Sequence, residues 1–166
     1  MDNTKQAEPI KRALNVEIYS REAIEELLKG DFSDNVAVIS FYDPVNPRTG
    51  EVDKPVDYSS KTKRVFHVAI HDIDIDILSD YGLTYDTYFP EALDVAKFIY
   101  DAYNDGLNII CQCQYGQSRS AACAAAVMEY FCHNGISIFA DYRYYPNQMV
   151  FHKIYDALEA IYGKSA

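Results

Sequence analysis

"LNIICQCQYGQSRSAACAAAVMEY", residues 107–130, decides how the chain is read. Its first part, Leu107 to Cys113, is a short and nearly continuous apolar run, the pattern of a strand buried on both faces. From Ser118 the sequence becomes alanine-rich and reads as a helix over 118–134, ended by Gly135. Between strand and helix lies one tight turn that opens on a thiol, Cys113, and closes on a guanidinium, Arg119, with Gly116 inside it. A turn from the end of a buried strand into a helix is where open α/β sheets bind ligands.

The segments to either side fit the same architecture. "NVEIYS" (15–20) alternates like a strand, and Ser20 is placed to cap the helix "REAIEELLK", which Gly30 ends. "NVAVISFYDP" (35–44) is a second strand and "VFHVAI" (65–70) a third, separated by a proline-rich, charged stretch (44–64) that reads as a solvated loop. A helix is expected from near Pro90, with Ala92, Val95, Ala96, Ile99 and Tyr103 on one face and Gly106 stopping it. A last helix, 148–162, follows Pro146 and Asn147 and buries Val150, Ile154, Leu158 and Ile161. Strands alternating with helices predict one α/β domain over 1–166, a mostly parallel central sheet flanked by helices. Residues 1–12 read as a flexible N-terminal segment.

The formal net charge of -10 argues against nucleic acid and anionic membranes as partners. No apolar run reaches the roughly 20 residues that span a bilayer. The N-terminus has no apolar core of a secretory signal, so the expected location is cytoplasmic. Cys111, Cys113, Cys123 and Cys132 are too few and too close for a disulfide framework and have no second cluster to complete a zinc site. The 15 tyrosines suggest amphipathic residues at core edges and surface and point to no function by themselves.

The turn itself carries chemistry. Consecutive N–H groups of a tight loop and the positive end of a helix dipole both attract an oxyanion. Gly116 permits a backbone conformation that other residues avoid, and Arg119 can grip two oxygens through its planar fork. Cys113 sits at the focus of that field, which favours a thiolate, and a thiolate beneath a bound phosphate is an in-line nucleophile. Ser120 can donate its hydroxyl to the sulfur. Cys-x5-Arg alone is common, but with Gly116 and Ser120 added the chance expectation falls to about one in a thousand, which makes coincidence the poorer explanation.

"CQYGQSRS" resembles the signature loop of the cysteine-dependent protein tyrosine phosphatases, most closely the dual-specificity and compact bacterial branches. The likeness extends over residues 65–162 and includes "YYPNQMVFHKI". It implies a phosphatase-like fold with the phosphate loop between a central strand and a helix. It also implies a phosphocysteine mechanism with Cys113 as nucleophile, and a phosphorylated protein or small phosphoester as substrate. Arg119 and the loop residues Gln114, Tyr115, Gly116, Gln117 and Ser118 would bind phosphate, Ser120 would stabilise the thiolate, and Asn147 would brace the loop. No cofactor or metal is implied. One departure is Gln112, where these families have histidine, and a slower enzyme is expected from it. The uncharged loop favours phosphoproteins over phosphoinositides.

A leaving oxygen needs a proton, and the resemblance implies an aspartate just past the preceding strand. "VFHVAIHDIDIDILSD" offers Asp72, Asp74, Asp76 and Asp80, with Asp72 first, Asp74 second and the rest a solvated face. Rival readings are a divalent metal on His67, His71 and the aspartates, a strained Cys111–Cys113 disulfide, a rhodanese-type sulfurtransferase, and a catalytically weak phosphate-binding module of the same fold. Oligomeric state is left open.

Overall fold

The computed structural model describes residues 12–46 and 48–164. Its elements are β1 (Val16–Tyr19), α1 (Arg21–Lys29), β2 (Val36–Tyr42), β3 (Val65–Ala69), a 3-10 helix (Ile75–Tyr81), α2 (Ala92–Asn104), β4 (Asn108–Gln112), α3 (Arg119–Cys132), α4 (Ile136–Phe139) and α5 (Gln148–Tyr162). The strands form one sheet in the order β1-β4-β2-β3, and every pairing is parallel. The expected α/β architecture is therefore present, with an entirely parallel sheet. β4, which leads into Cys113, is paired on both edges: Cys111 lies between Ile18 and Ile39, and Gln112 between Tyr19 and Ser40.

Strand alternation divides the core in two. Ala37, Ile39, Phe41, Val68, Ile109 and Cys111 face the main core, which α2, α3 and α5 complete. Val36, Val38 and Ile110 face a smaller one closed by Ile24 of α1, Val56 and Tyr58. α3 is buried almost all round, with every residue from Ala121 to Val127 fully enclosed between the sheet and α5. Alanines suit that position because they let both neighbours approach closely.

Three local expectations are corrected. Residues 44–64 are not a wholly solvated loop: Val56 and Tyr58 are buried, because α1 alone leaves part of that sheet face uncovered. Gly135 does not end α3. The helix stops at Cys132 with His133 in the left-handed region (φ 53°), and Gly135 starts α4, where an added Cβ would lie 2.8 Å from the Ala125 carbonyl oxygen. The helix expected from near Pro90 is present as α2, starting at Ala92, and a separate 3-10 helix precedes it, ending where Gly82 takes φ 69°. On α2 the buried residue of the last turn is Ala102, and Tyr103 lies at the edge with the Arg12 guanidinium 4.4 Å above its ring.

Residues 1–11 of the expected flexible segment lie outside the described residues. Arg12 is held, its Nε donating to the Tyr103 carbonyl at 3.0 Å. Among the described residues no helix is long and apolar enough to cross a membrane.

Ser20 caps α1 as the sequence suggests, its Oγ accepting from the Ala23 N–H at 3.1 Å. Ser20→Ala leaves that N–H without its acceptor and is expected to cost about 1 kcal/mol. The check is the midpoint of urea unfolding, which should fall at unchanged slope.

Candidate active site

β4 delivers Cys113 to the end of the sheet, and the turn that follows is fastened to the scaffold by its carbonyls. Gln114 O accepts from Arg21 N (3.1 Å), Gln117 O from Tyr145 N (2.8 Å) and Ser118 O from Asn147 N (3.2 Å). Cys113 N in turn donates to Tyr19 O at 3.3 Å. From Gln114 to Arg119 no backbone N–H has an acceptor among the described residues. A row of free amides at the N-terminus of a helix as long as α3 is an anion-binding arrangement.

Gly116 has φ 66°, and a Cβ there would lie 2.7 Å from Ser20 N. The glycine is required by two constraints at once: a left-handed backbone and close packing on the β1–α1 junction. Tyr115, at the tip, is 77% exposed.

Cys113 is buried, with its Sγ 3.0 Å from Ser120 Oγ. Arg119 is also buried. Its Nη1 donates to Asp43 Oδ1 (2.8 Å) and to the Ile70 carbonyl (2.6 Å), while its Nε is enclosed with no partner. An N–H held out of water without an acceptor is costly, and an oxyanion oxygen would satisfy it.

Of the four aspartates, Asp72 is the one that touches the loop. Its Oδ1 accepts from Ser118 Oγ (2.6 Å) and Asn147 Nδ2 (3.0 Å). Asn147 therefore serves three elements. It caps α5 by accepting from Val150 N (3.1 Å), it donates to the Ile73 carbonyl (3.1 Å), and it holds Asp72. Asp74 precedes the 3-10 helix without capping it, and with Asp76 and Asp80 it is exposed.

Gln112, next to Cys113 at the end of β4, is buried with both of its side-chain polar atoms hydrogen-bonded. Its Oε1 accepts from Ser40 Oγ (2.5 Å) and the Tyr58 hydroxyl (2.8 Å), and its Nε2 donates to the Cys113 carbonyl (3.0 Å). The side chain thus braces the nucleophile's own peptide without carrying a charge. Burial pushes the Tyr58 phenol well above its ordinary range.

Among the described residues the histidines and aspartates of the metal reading form no cluster. The His67 ring faces those of Tyr42 and Tyr58, whereas His71 faces Tyr81. All four cysteines are free thiols, and Cys111 shares a hydrogen bond with Cys123, its thiol raised well above the ordinary value by burial and by that neighbour.

Sequence reasoning missed Asp43, Ser40 and Tyr58. The available signal for the first two was their position at the carboxyl end of β2, the strand paired with the one that carries the nucleophile.

Sequence comparison matches no family model and no curated protein. Among solved structures, the fold is similar to that of the human tyrosine phosphatase-like serine/threonine/tyrosine-interacting protein, at 18% identity and TM-score 0.48 over 86% of each chain. It is also similar to human DUSP28, at 14% identity and TM-score 0.49 over 88% of this chain and 92% of that one. Tk-PTP in its active form gives 13% and 0.48 over the same shares. At such identity what is shared is the course of the backbone.

Gln112→Leu keeps the volume but leaves the Ser40 and Tyr58 hydroxyls and the Cys113 carbonyl without their partner. The expected loss is about 1–3 kcal/mol of folding stability, read from chemical denaturation.

Proposed function

We propose that the chain is a phosphomonoester hydrolase of the protein tyrosine or dual-specificity type, acting on phosphorylated proteins or small phosphoesters through a phosphocysteine. The observation that carries this reading is the convergence on one turn of Cys113, a row of backbone amides without internal acceptors and a buried Arg119 whose Nε lacks a partner.

In the first step the Cys113 thiolate attacks phosphorus, an S–P bond forms and the P–O bond to the leaving group breaks. The loop amides and Arg119 hold the equatorial oxygens, where charge is spread in the transition state. Asp72 donates its proton to the leaving oxygen. Both of its hydrogen-bond donors engage Oδ1, which leaves Oδ2 to carry that proton. In the second step Asp72, now a carboxylate, accepts a proton from water as the water oxygen attacks phosphorus. The S–P bond breaks, inorganic phosphate leaves, and the Ser120 hydroxyl receives the returning thiolate from 3.0 Å. Gln112 and Asn147 position Cys113 and Asp72 and touch no reacting atom. None of these steps calls on a metal or an organic cofactor.

Hydrolysis of para-nitrophenyl phosphate in EDTA tests the proposal. The wild type should turn over, Cys113→Ser should lose all activity, and Asp72→Asn should lose about 10²–10⁴-fold in kcat. Asp74→Asn should stay near wild type. Equal rates in wild type and Cys113→Ser would reject the thiol mechanism. Phosphate binding without turnover in any variant would instead make the chain a binding module.

A further inference from the structure

Beside the signature loop runs a groove of about 670 Å³ whose two walls both begin at the site. One wall is the segment ending in Asn147, tied to the loop by the Tyr145 and Asn147 amides. The other is the start of the 3-10 helix, Asp74 to Asp76, immediately after the loop-bound Asp72. Apolar surface lines it from Ile75, Tyr145, Phe139 and Met149, of which Ile75 is 60% and Tyr145 74% exposed. Asp74 and Asp76 add two exposed carboxylates, and neither pairs with a cation among the described residues. Lys153 stands on the Tyr85 side of the groove, its Nζ donating to the carbonyls of Tyr85 and Tyr88 and lying 5.0 Å from the Tyr85 ring, and among the described residues it forms no ion pair with Asp74 or Asp76. His152, also on the groove, packs edge-on against Phe151.

We infer that this groove selects phosphoprotein segments carrying lysine or arginine within a residue or two of the phosphorylated side chain. The inference rests on the phosphate-binding reading of the loop and names the substrate class of that same site. A phosphoryl group anchored at the loop amides and the unpaired Arg119 Nε leaves the adjoining peptide, at about 3.3 Å per residue, within reach of the groove. A long basic side chain matches its lining: the aliphatic stem lies on Ile75 and Tyr145, and the charged head meets Asp74 and Asp76. An acidic flank would meet the same carboxylates and the net charge of -10.

The test uses two phosphotyrosine peptides that differ only in having lysine or glutamate on both sides of the phosphotyrosine. Wild type should favour the lysine peptide about tenfold or more in kcat/KM at low salt, with the ratio shrinking as salt screens the pair. Asp76→Lys should abolish or reverse that ratio while para-nitrophenyl phosphate turnover is unchanged. Asp31→Lys is the control, because it makes the same charge change beside Val36 and Asn108, which begin β2 and β4 at the opposite end of the sheet from the loop. It should keep the preference. Equal kcat/KM for the two peptides in the wild type, or equal losses of preference in Asp76→Lys and Asp31→Lys, would overturn the inference. Binding of the same peptides to Cys113→Ser, followed by fluorescence anisotropy, separates this inference from the catalytic reading. A lysine preference there without turnover in the wild type upholds the groove and removes the hydrolase, whereas turnover without preference does the reverse.

Discussion

Gln114, Gln117 and Ser118 each give their carbonyl oxygen to a backbone N–H outside the turn, on Arg21, Tyr145 and Asn147. A peptide unit whose oxygen is fixed on one side presents its N–H on the other, so these three bonds orient the amides that remain free. The supporting pieces follow from that constraint. The β1–α1 junction must lie close enough to receive Gln114, which leaves room for no side chain at Gly116. The start of α5 must lie on the opposite flank, which is why Asn147 both caps that helix and reaches Asp72. Elements far apart in sequence are held by one short turn.

Arg119 sits in this frame as a buried charge with an incomplete set of partners. A guanidinium taken out of water must be paired and hydrogen-bonded to be tolerated. Asp43 and the Ile70 carbonyl both engage Nη1, so they fix the plane of the group while leaving Nε unsatisfied. Native folds rarely leave such an N–H without an acceptor, and where they do the cause is often functional. Under the proposed function an oxyanion bound at Nε would offset that cost, which would tie a local loss of stability to affinity at the site.

The parts legible in the sequence were those whose chemistry is contiguous. Cys113, Gly116, Arg119 and Ser120 fall within one turn and the first residues of a helix, and the strand before and helix after them follow from apolar run and alanine content. Asn147 was named through the resemblance of "YYPNQMVFHKI", a motif short enough to be contiguous, and the structure adds that it caps α5. Asp43, Ser40 and Tyr58 were missed: the carboxyl end of β2 marks the place of the first two, but which partners they meet is set by sheet register, and Tyr58 arrives through loop packing. Ser40 reaches Gln112 across 72 positions and Asp43 reaches Arg119 across 76. Gly135 was misread for a related reason. The reading from sequence assigned it to backbone conformation, yet what it satisfies is the close approach of Ala125 and Glu129. The groove beside the loop had no sequence signal, because its walls come from the segments around Asp74 and Asn147, which the chain brings together only on folding.

Gln112 gives the floor beneath Cys113 an unusual proton inventory. Amide, serine hydroxyl and a phenol driven far above its ordinary range hold the Cys113 peptide between them, and none exchanges a proton across the span in which cells live. A histidine at that position would gain and lose charge near neutrality. No group that bonds to the Gln112 side chain therefore changes charge between acid and neutral pH, and the titratable ring beside this floor is His67, which packs against Tyr58 and is held below its ordinary value by burial.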